Sequence, residues 1–564
     1  MKFTEFEYKR PSFDEYKQNM AALIEEVNSA SSASEQINSC KKIFNQLTHI
    51  DTLSQIASVR HSINTKDKFY DEENEYWDEF SPLYSEVELG FQKAIVNSQF
   101  RPALEEEFSE QYFRITENAL KVFSPDIIKE TQEENKLVSE YSKLIASAEI
   151  EYKGKIYNLS GLGPFTIDKD REVRKEANNL VANFYKENQN AIETIYDKLV
   201  KLRHAKAKKL GFDNYVDFSY ITLNRTDYNK DMVAEFRQQV KEHIVPIASK
   251  LYEDQKNRLG LDTLYYYDLN FEFLSGNATP KGDAHFILNN GEKMYNELSK
   301  ETKEFFQFMV ECELLDLETK SGKEGGGYCT YFYDYKSPFI FSNFNGTAGD
   351  IDVLTHEAGH AFQLYNSRHI EIPNLIFSTL ESCEIHSMAM EYITWPWMEL
   401  FFKEETMKYK YTHLGGAIKF IPYGIVVDAF QHFIYSNPEA TAKERNAHWR
   451  ELEKEYLPHK DYGDCKVLDE GGWWFRQAHI FTVPFYYIDY TLAEVCALQY
   501  WKKMNHDREQ GWRDYLAICQ VGGTKSFLEL VKLGNLISPF EPGCIASVTS
   551  EIENYLSKID DTQL

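Results

Sequence analysis

A chain of 564 residues with 62 basic and 89 acidic side chains carries a formal charge of -27, a field that repels phosphate backbones and excludes nucleic acid as a partner class. Hydrophobic residues at 43% supply a large core, while a mean hydropathy of -0.52 and the lack of any apolar run near twenty residues exclude a membrane span. The opening MKFTEFEYKRPSFDEY interrupts any signal-like apolar stretch with charge and proline, and the cysteines are scattered with no C-x-x-C pair, so a cytoplasmic location with reduced thiols is expected.

Residues 1–145 read as an N-terminal helical lobe. Ser12 with Glu15 and Ser32 with Glu35 fit capping boxes, and Ser124 followed by Pro125 fits an N-cap and first helical position. Leu137, Tyr141, Leu144 and Ile145 repeat at helical spacing as a core stripe. Residues 146–200 read as a hairpin and connecting helices: EIEYKGKIYNLS alternates about a Lys153-Gly154 turn, whereas Gly161 and Gly163 lack the rest of a phosphate-binding fingerprint. Helical patterns run from Asp170 to about Arg258, and LSGNATPKGD at 274–283 has the composition of a loop. The aromatic and β-branched stretch from Gly325 to Gly346 predicts a small sheet. Its edge either binds an extended peptide through main-chain hydrogen bonds or packs a cleft wall, and both readings stand at this point.

Directly after that stretch, DVLTHEAGHAFQ places H-E-x-x-H at His356, Glu357 and His360, within a helix expected to start at Thr347 or Asp350. Residues i and i+4 share one helix face, so both imidazoles reach one ion, while Glu357 is one step round and can touch a water on that ion. Two imidazoles, a carboxylate and an open position suit zinc. Asp352, one turn before His356, is a candidate to accept its second ring N–H, or else is a solvated charge in the first turns of the helix. The places where a metzincin would carry a glycine and a third histidine hold Gln363 and Asn366, so the third ligand lies elsewhere. The segment FSTLESCEIHSMAMEYITW offers Glu381 and Glu384 on one helix face, both open as ligands, with His386 on nearly the opposite face.

HEAGHAFQ followed by CEIHSMAMEY resembles the thimet oligopeptidase and oligoendopeptidase F family of zinc metallopeptidases, bacterial oligoendopeptidase F most of all. The resemblance covers roughly residues 200 to 545, with FSNFNG and HIFTVPFYYIDYTLAEV as less specific parts. It implies that the third ligand is the acid opening E-x-x-S-x-x-x-E, here Glu384, Ser387 and Glu391, which leaves Glu381 as a neighbouring carboxylate. It also implies a His and a Tyr that hydrogen-bond the tetrahedral intermediate. Counting back from Glu494 puts these at His479 and Tyr490. The His-to-Tyr spacing departs by one residue and TVPF replaces a glycine-rich run, so Tyr486 competes with Tyr490; Tyr487 reads equally as core packing.

The resemblance therefore implies a mainly α, two-lobed helical zincin, with a deep central channel and a small β-sheet beside the metal helix. Residues 201–564 would form its catalytic helical domain. One Zn2+ per chain would be held by His356, His360 and Glu384, with Glu357 activating water and Tyr490 and His479 stabilising the oxyanion. Short unfolded peptides, cut internally, are the expected substrates. A carboxypeptidase or dipeptidyl carboxypeptidase on a related scaffold is the alternative. An aminopeptidase lacks its G-x-M-E-N element here, and a vestigial peptide-binding scaffold fits poorly with a full set of competent residues.

Overall fold

The computed structural model describes residues 1–564. Capping and apolar spacing set the N-terminal layer, which is six helices: Phe13–Ser29, Ala33–Ile63, Lys68–Val96, Arg101–Phe108, Glu110–Val122 and Ile128–Ala146. The hydroxyls of Ser12 and Ser32 accept the backbone N–H of Glu15 and Glu35, each at 3.3 Å, satisfying amides that the first turn leaves free. Ser124 accepts from Asp126 at 3.1 Å and opens a short 3-10 turn ahead of Ile128–Ala146.

Tyr16, Phe44, Trp77, Phe108 and Tyr112 belong to a core of 18 buried residues confined almost wholly to this layer. Leu137 and Tyr141 belong instead to the main core of 102 buried residues, which runs from Phe3 to Leu556. The helix Ile128–Ala146 is thus built into the larger body. Its tie is Arg203 on the helix Gln189–Lys209, a fully buried guanidinium. Arg203 donates to Glu134 at 2.6 Å, to Tyr435 at 3.0 Å and to the carbonyls of Ile480 and Phe481. A guanidinium taken out of water is costly unless its donors are met, and these acceptors meet them. Tyr141 adds a hydrogen bond to the Phe475 carbonyl at 2.9 Å and stacks on Phe481.

The hairpin forms as expected: β1 (Ile150–Tyr152) pairs antiparallel with β2 (Lys155–Tyr157), and both turn residues, Lys153 and Gly154, adopt positive φ. The aromatic stretch also forms its sheet, with a strand the sequence reading did not include. β3 (Leu315–Glu318) runs parallel to β5 (Ser337–Phe344), and β4 (Tyr328–Phe332) runs antiparallel to β5, in the order β3-β5-β4. β5 is buried along nearly its whole length, and β4 is an edge strand.

β5 leads through a short loop into the helix Gly349–Ser367, which carries the H-E-x-x-H motif. The helix Leu380–Ile393 packs against it and against Tyr487–His506, and all of its residues except Leu380 and Glu391 are buried. The long helix Thr406–Ser436 closes the bundle. All eight cysteines are unpaired, and no helix is long and apolar enough to cross a membrane.

Candidate metal centre

The motif helix begins at Gly349, with no side-chain cap from Thr347. Asp350 instead reaches back, accepting the backbone N–H of Asn345 at 2.9 Å and of Gly346 at 2.8 Å, so the helix start is locked to the end of β5. Helical periodicity then turns His356 and His360 to one side. Between them Gly359 faces the helix Leu380–Ile393 at a distance no other residue tolerates: a Cβ there would lie 2.5 Å from the His386 carbonyl oxygen and 2.6 Å from the Ser387 Cα. This close crossing carries Glu384 up to the imidazoles.

The ligand atoms of His356, His360 and Glu384 all lie within 4.8 Å of one another. Glu384 Oε2 is 3.1 Å from His356 Nε2 and 3.4 Å from His360 Nε2. A tetrahedral ion with bonds of about 2.0–2.2 Å places its donors roughly 3.3–3.6 Å apart, so this donor set fits one small divalent cation. Burial alone would push the Glu384 carboxyl up, but the positive field of His360 and hydrogen bonds from both imidazoles hold it well below the usual carboxylate range. The centre stabilises positive charge where the three atoms meet.

Neighbouring groups fix these side chains. Ser387 Oγ donates to Glu384 Oε2 at 2.9 Å, and the Tyr486 hydroxyl donates to Glu384 Oε1. His356 Nδ1 is bonded to Glu391 Oε1 at 2.8 Å, and the other oxygen of Glu391 is bonded to His413 Nε2, also at 2.8 Å. This corrects one expectation: the partner of His356 is Glu391, not Asp352. Asp352 accepts from the Tyr409 hydroxyl at 2.7 Å and lies 4.0 Å from His413. His413 was not singled out in the sequence, since it is 22 residues beyond Glu391 on a different helix and belongs to no short motif.

Glu357 is buried beside the two histidines, and its Oε2 has no hydrogen-bond partner. Burial raises its carboxyl, opposed by the charges of His356 and His360. Gly327, just before β4, comes so near that a Cβ would lie 3.2 Å from Glu357 Oε1, so the edge of the sheet runs along this carboxylate. Glu381, one turn before Glu384, is outside the cluster and lies within the field of Asp489 and Arg225, a fully buried pair at 2.8 Å. His386 bonds Ser378 at 3.3 Å and is outside the cluster.

The C-terminal aromatic segment is drawn into the same place. His479 Nε2 lies 3.2 Å from the Tyr490 hydroxyl, and Gln477 Nε2 lies 2.8 Å from His479 Nδ1. The amide is itself oriented: the Tyr423 hydroxyl donates to Gln477 Oε1 at 2.7 Å, which turns the amide NH2 toward His479. An amide NH2 can only donate, so in this orientation His479 accepts at Nδ1 and carries its proton on Nε2. Burial pushes the His479 imidazole down to about 4, opposed by Glu384, so the ring is neutral near pH 7. Tyr490 then receives a hydrogen bond from His479 and keeps its own O–H to give. The sequence offered no signal for Gln477 or Tyr423, which act through contacts that only the fold creates.

Beside the centre is a cavity of about 750 Å³, and its walls include Gly163, Tyr266, Asn345, Asp352, His413 and Gln477. None of the three candidate ligands lines it. It meets the centre through Asp352 and His413 on one side and Gln477 on the other.

Comparison with known proteins places this arrangement. A model of the peptidase M3 N-terminal domain matches residues 3–123, and a model of peptidase family M3 matches residues 165–282 and 283–541. The chain is 26% identical over 380 residues to the oligoendopeptidase F homolog of Borreliella burgdorferi, an alignment covering 65% of this chain and 62% of that protein, just under two thirds of that relative's length. Among solved structures it matches PZ peptidase A in complex with an inhibitor, at a TM-score of 0.99 and 52% identity over 100% of both chains. It also matches a Bacillus anthracis protein provisionally named oligoendopeptidase F, at a TM-score of 0.95 and 49% identity over 100% of this chain and 99% of that one.

Proposed function

The chain belongs to peptidase family M3, and from that premise we propose that it is a zinc-dependent endopeptidase that hydrolyses internal bonds of short, unfolded peptides. The observation that carries the reading is the convergence of His356, His360 and Glu384 beside a buried Glu357 whose Oε2 has no partner. Zinc is preferred over other divalent ions because two imidazoles and one carboxylate suit it. When bound, it would supply Lewis acidity to the scissile carbonyl and to the attacking water.

The chain's own groups do the rest. Glu357 Oε2 takes the water's proton and returns it to the leaving amine nitrogen. Tyr490 donates its O–H to the carbonyl oxygen as negative charge grows there, and His479 Nε2–H holds the Tyr490 oxygen from behind. Glu391 holds His356 in the tautomer that presents Nε2 to the metal. The edge of the sheet near Gly327 offers main-chain groups to an extended substrate, the recognition mode that an edge strand beside a reactive carboxylate favours. Residues 1–145, 146–200 and 201–564 serve as N-terminal lobe, connecting region and catalytic domain, and Gly163 and Ile167 of the connecting region line the cavity. The acidic surface and unpaired cysteines suit a cytoplasmic role in peptide turnover.

The test is product mapping on a quenched peptide blocked at both ends, together with elemental analysis. Internal cleavage with one zinc per chain supports the reading. A blocked peptide left intact while its unblocked counterpart loses residues from the C-terminus would make the enzyme a carboxypeptidase instead. Glu357→Gln should keep its metal and fold and lose turnover, because an amide neither accepts nor returns the proton; full activity would refute the role of Glu357.

A further inference from the structure

The cavity beside the metal centre holds a charge that the hydrolytic step does not use. Arg476 ends the 3-10 helix Gly472–Arg476 and lines the cavity next to Gln477. Its guanidinium lies over Trp473, 3.9 Å from the ring centroid, with Tyr185 at 5.4 Å. The Lys460 ammonium lies 3.8 Å from the centroid of the same indole, so one ring carries two cations.

Pairing separates Arg476 from its neighbours. Lys460 is bonded to Glu453 at 3.2 Å, and Lys419, on the same cavity wall, to Glu272 at 2.7 Å. Glu272 is held further by Arg258 at 2.9 Å, and Asp352, the other acid of the lining, is engaged by Tyr409. Arg476 has no carboxylate partner. In a chain with an excess of 27 acidic over basic residues, a guanidinium without a carboxylate partner inside a cavity beside the metal centre is a ready place for an anionic group. His459, on that wall too, stacks on Tyr252 at 3.5 Å and leaves both ring nitrogens without a partner. A guanidinium held over an indole and free of carboxylates keeps N–H donors for an incoming carboxylate, which it can bind through two parallel hydrogen bonds.

We propose that Arg476, seated on Trp473, forms a subsite for a carboxylate of the peptide substrate. It rests on the peptidase reading and adds to it a substrate class: peptides whose carboxylate reaches this cavity while the scissile bond lies at the metal. Two groups on a peptide have this chemistry, the terminal α-carboxylate and the side chain of Asp or Glu. Because Arg476 precedes Gln477, which orients His479, the carboxylate would be bound at a fixed distance from the reacting carbonyl, and peptide length would be read from that distance.

The experiment measures kcat/KM for a ladder of quenched peptides in matched pairs, free acid against C-terminal amide and Glu against Gln at successive positions. Wild type, Arg476→Lys and Arg476→Gln are compared, with folding checked by circular dichroism. In the wild type, one pair type should show about a tenfold preference for the anion at a defined length, expressed in KM and falling with added salt. An acid-over-amide ratio assigns the α-carboxylate, and a Glu-over-Gln ratio assigns a side chain. Arg476→Gln should bring the ratio close to one, with Arg476→Lys between. Ratios near one in the wild type, or an unchanged ratio in folded Arg476→Gln, would overturn the proposal. If the wild type cleaves none of the peptides, the peptidase reading fails, and calorimetric binding of the acid and amide peptides then tests the subsite by itself: tighter binding of the acid that Arg476→Gln abolishes supports it, and equal affinity overturns it.

Discussion

Replacing Gly359 by alanine should loosen the metal more than the fold. The added methyl would lie 2.5 Å from the His386 carbonyl oxygen, 2.6 Å from the Ser387 Cα and 3.0 Å from the Met390 Cβ. Ordinary carbon contacts are at about 3.5–4.0 Å, so the helices Gly349–Ser367 and Leu380–Ile393 must part by roughly 1 Å. Overpacking of this kind costs about 1–3 kcal/mol, and the gain of alanine over glycine in a helix returns about 1 kcal/mol, so the net loss of stability is small. The metal is less tolerant, because ligand distances hold to about 0.2 Å and Glu384 rides on the displaced helix. We expect zinc affinity to fall by about 10–100-fold, the range seen when groups supporting a ligand are lost. The assay is competition with a chromophoric chelator, alongside thermal unfolding of the metal-free protein. Gly416→Ala is the control: nothing lies within 4 Å of its Cβ position, so stability should rise slightly and affinity should not move. Zinc affinity within twofold of wild type in Gly359→Ala would refute the claim that this close crossing sets Glu384.

Glu384→Ala should strip the metal, whereas Glu381→Ala should retain it, since Glu381 lies in the field of Asp489 and Arg225; elemental analysis after dialysis reads the difference, and the reverse result would exchange their roles. Tyr490→Phe should lower kcat by about 10²–10³ with KM and zinc content nearly unchanged. Tyr486→Phe should act on the metal instead, weakening zinc about tenfold, because its hydroxyl is spent on Glu384; a kcat defect confined to Tyr486→Phe would move the oxyanion donor there. Gln477→Glu should shift the His479 proton to Nδ1, turning Nε2 into an acceptor that draws the Tyr490 proton away from substrate. The expected signs are a lower kcat at constant KM and an imidazole ¹⁵N pattern with the proton on Nδ1; a wild-type rate with that pattern would refute the directed chain of donors.

The parts of the site legible in the sequence are those that a single helix brings together. His356 and His360 are one turn apart, so spacing alone puts them on one face, and Glu384, Ser387 and Glu391 follow on the next helix in a recurring pattern. The caps at Ser12 and Ser32 and the Lys153-Gly154 turn were legible for the same reason: each is settled within about four residues. Asp352 shows the limit. It is one turn from His356, as an orienting carboxylate would be, yet Glu391 takes the imidazole because the crossing at Gly359 brings the next helix closer than the turn above. His413 and Gln477 were illegible because Glu391 and Tyr423, which engage them, come from other helices, and Arg476 because the cavity it lines is assembled from distant segments. β3 was missed because it is a four-residue strand that pairs parallel with β5, across a connection no local pattern announces.

The buried Arg203 has a mechanical consequence. Its guanidinium holds the carbonyls of Ile480 and Phe481, immediately after His479, and the carboxylate of Glu134 on the last N-terminal helix. The segment bearing His479 is therefore bolted to the first 146 residues of the chain, and Tyr141 adds a second bolt through the Phe475 carbonyl. A fragment beginning near residue 200 would keep His356, His360 and Glu384 but leave Arg203 without its counter-charge and the His479 segment without its support. Metal binding and turnover should thus part company on truncation, and any rotation of the helix Ile128–Ala146 in the intact protein would be delivered to His479 as a displacement of the hydrogen bond it gives to Tyr490.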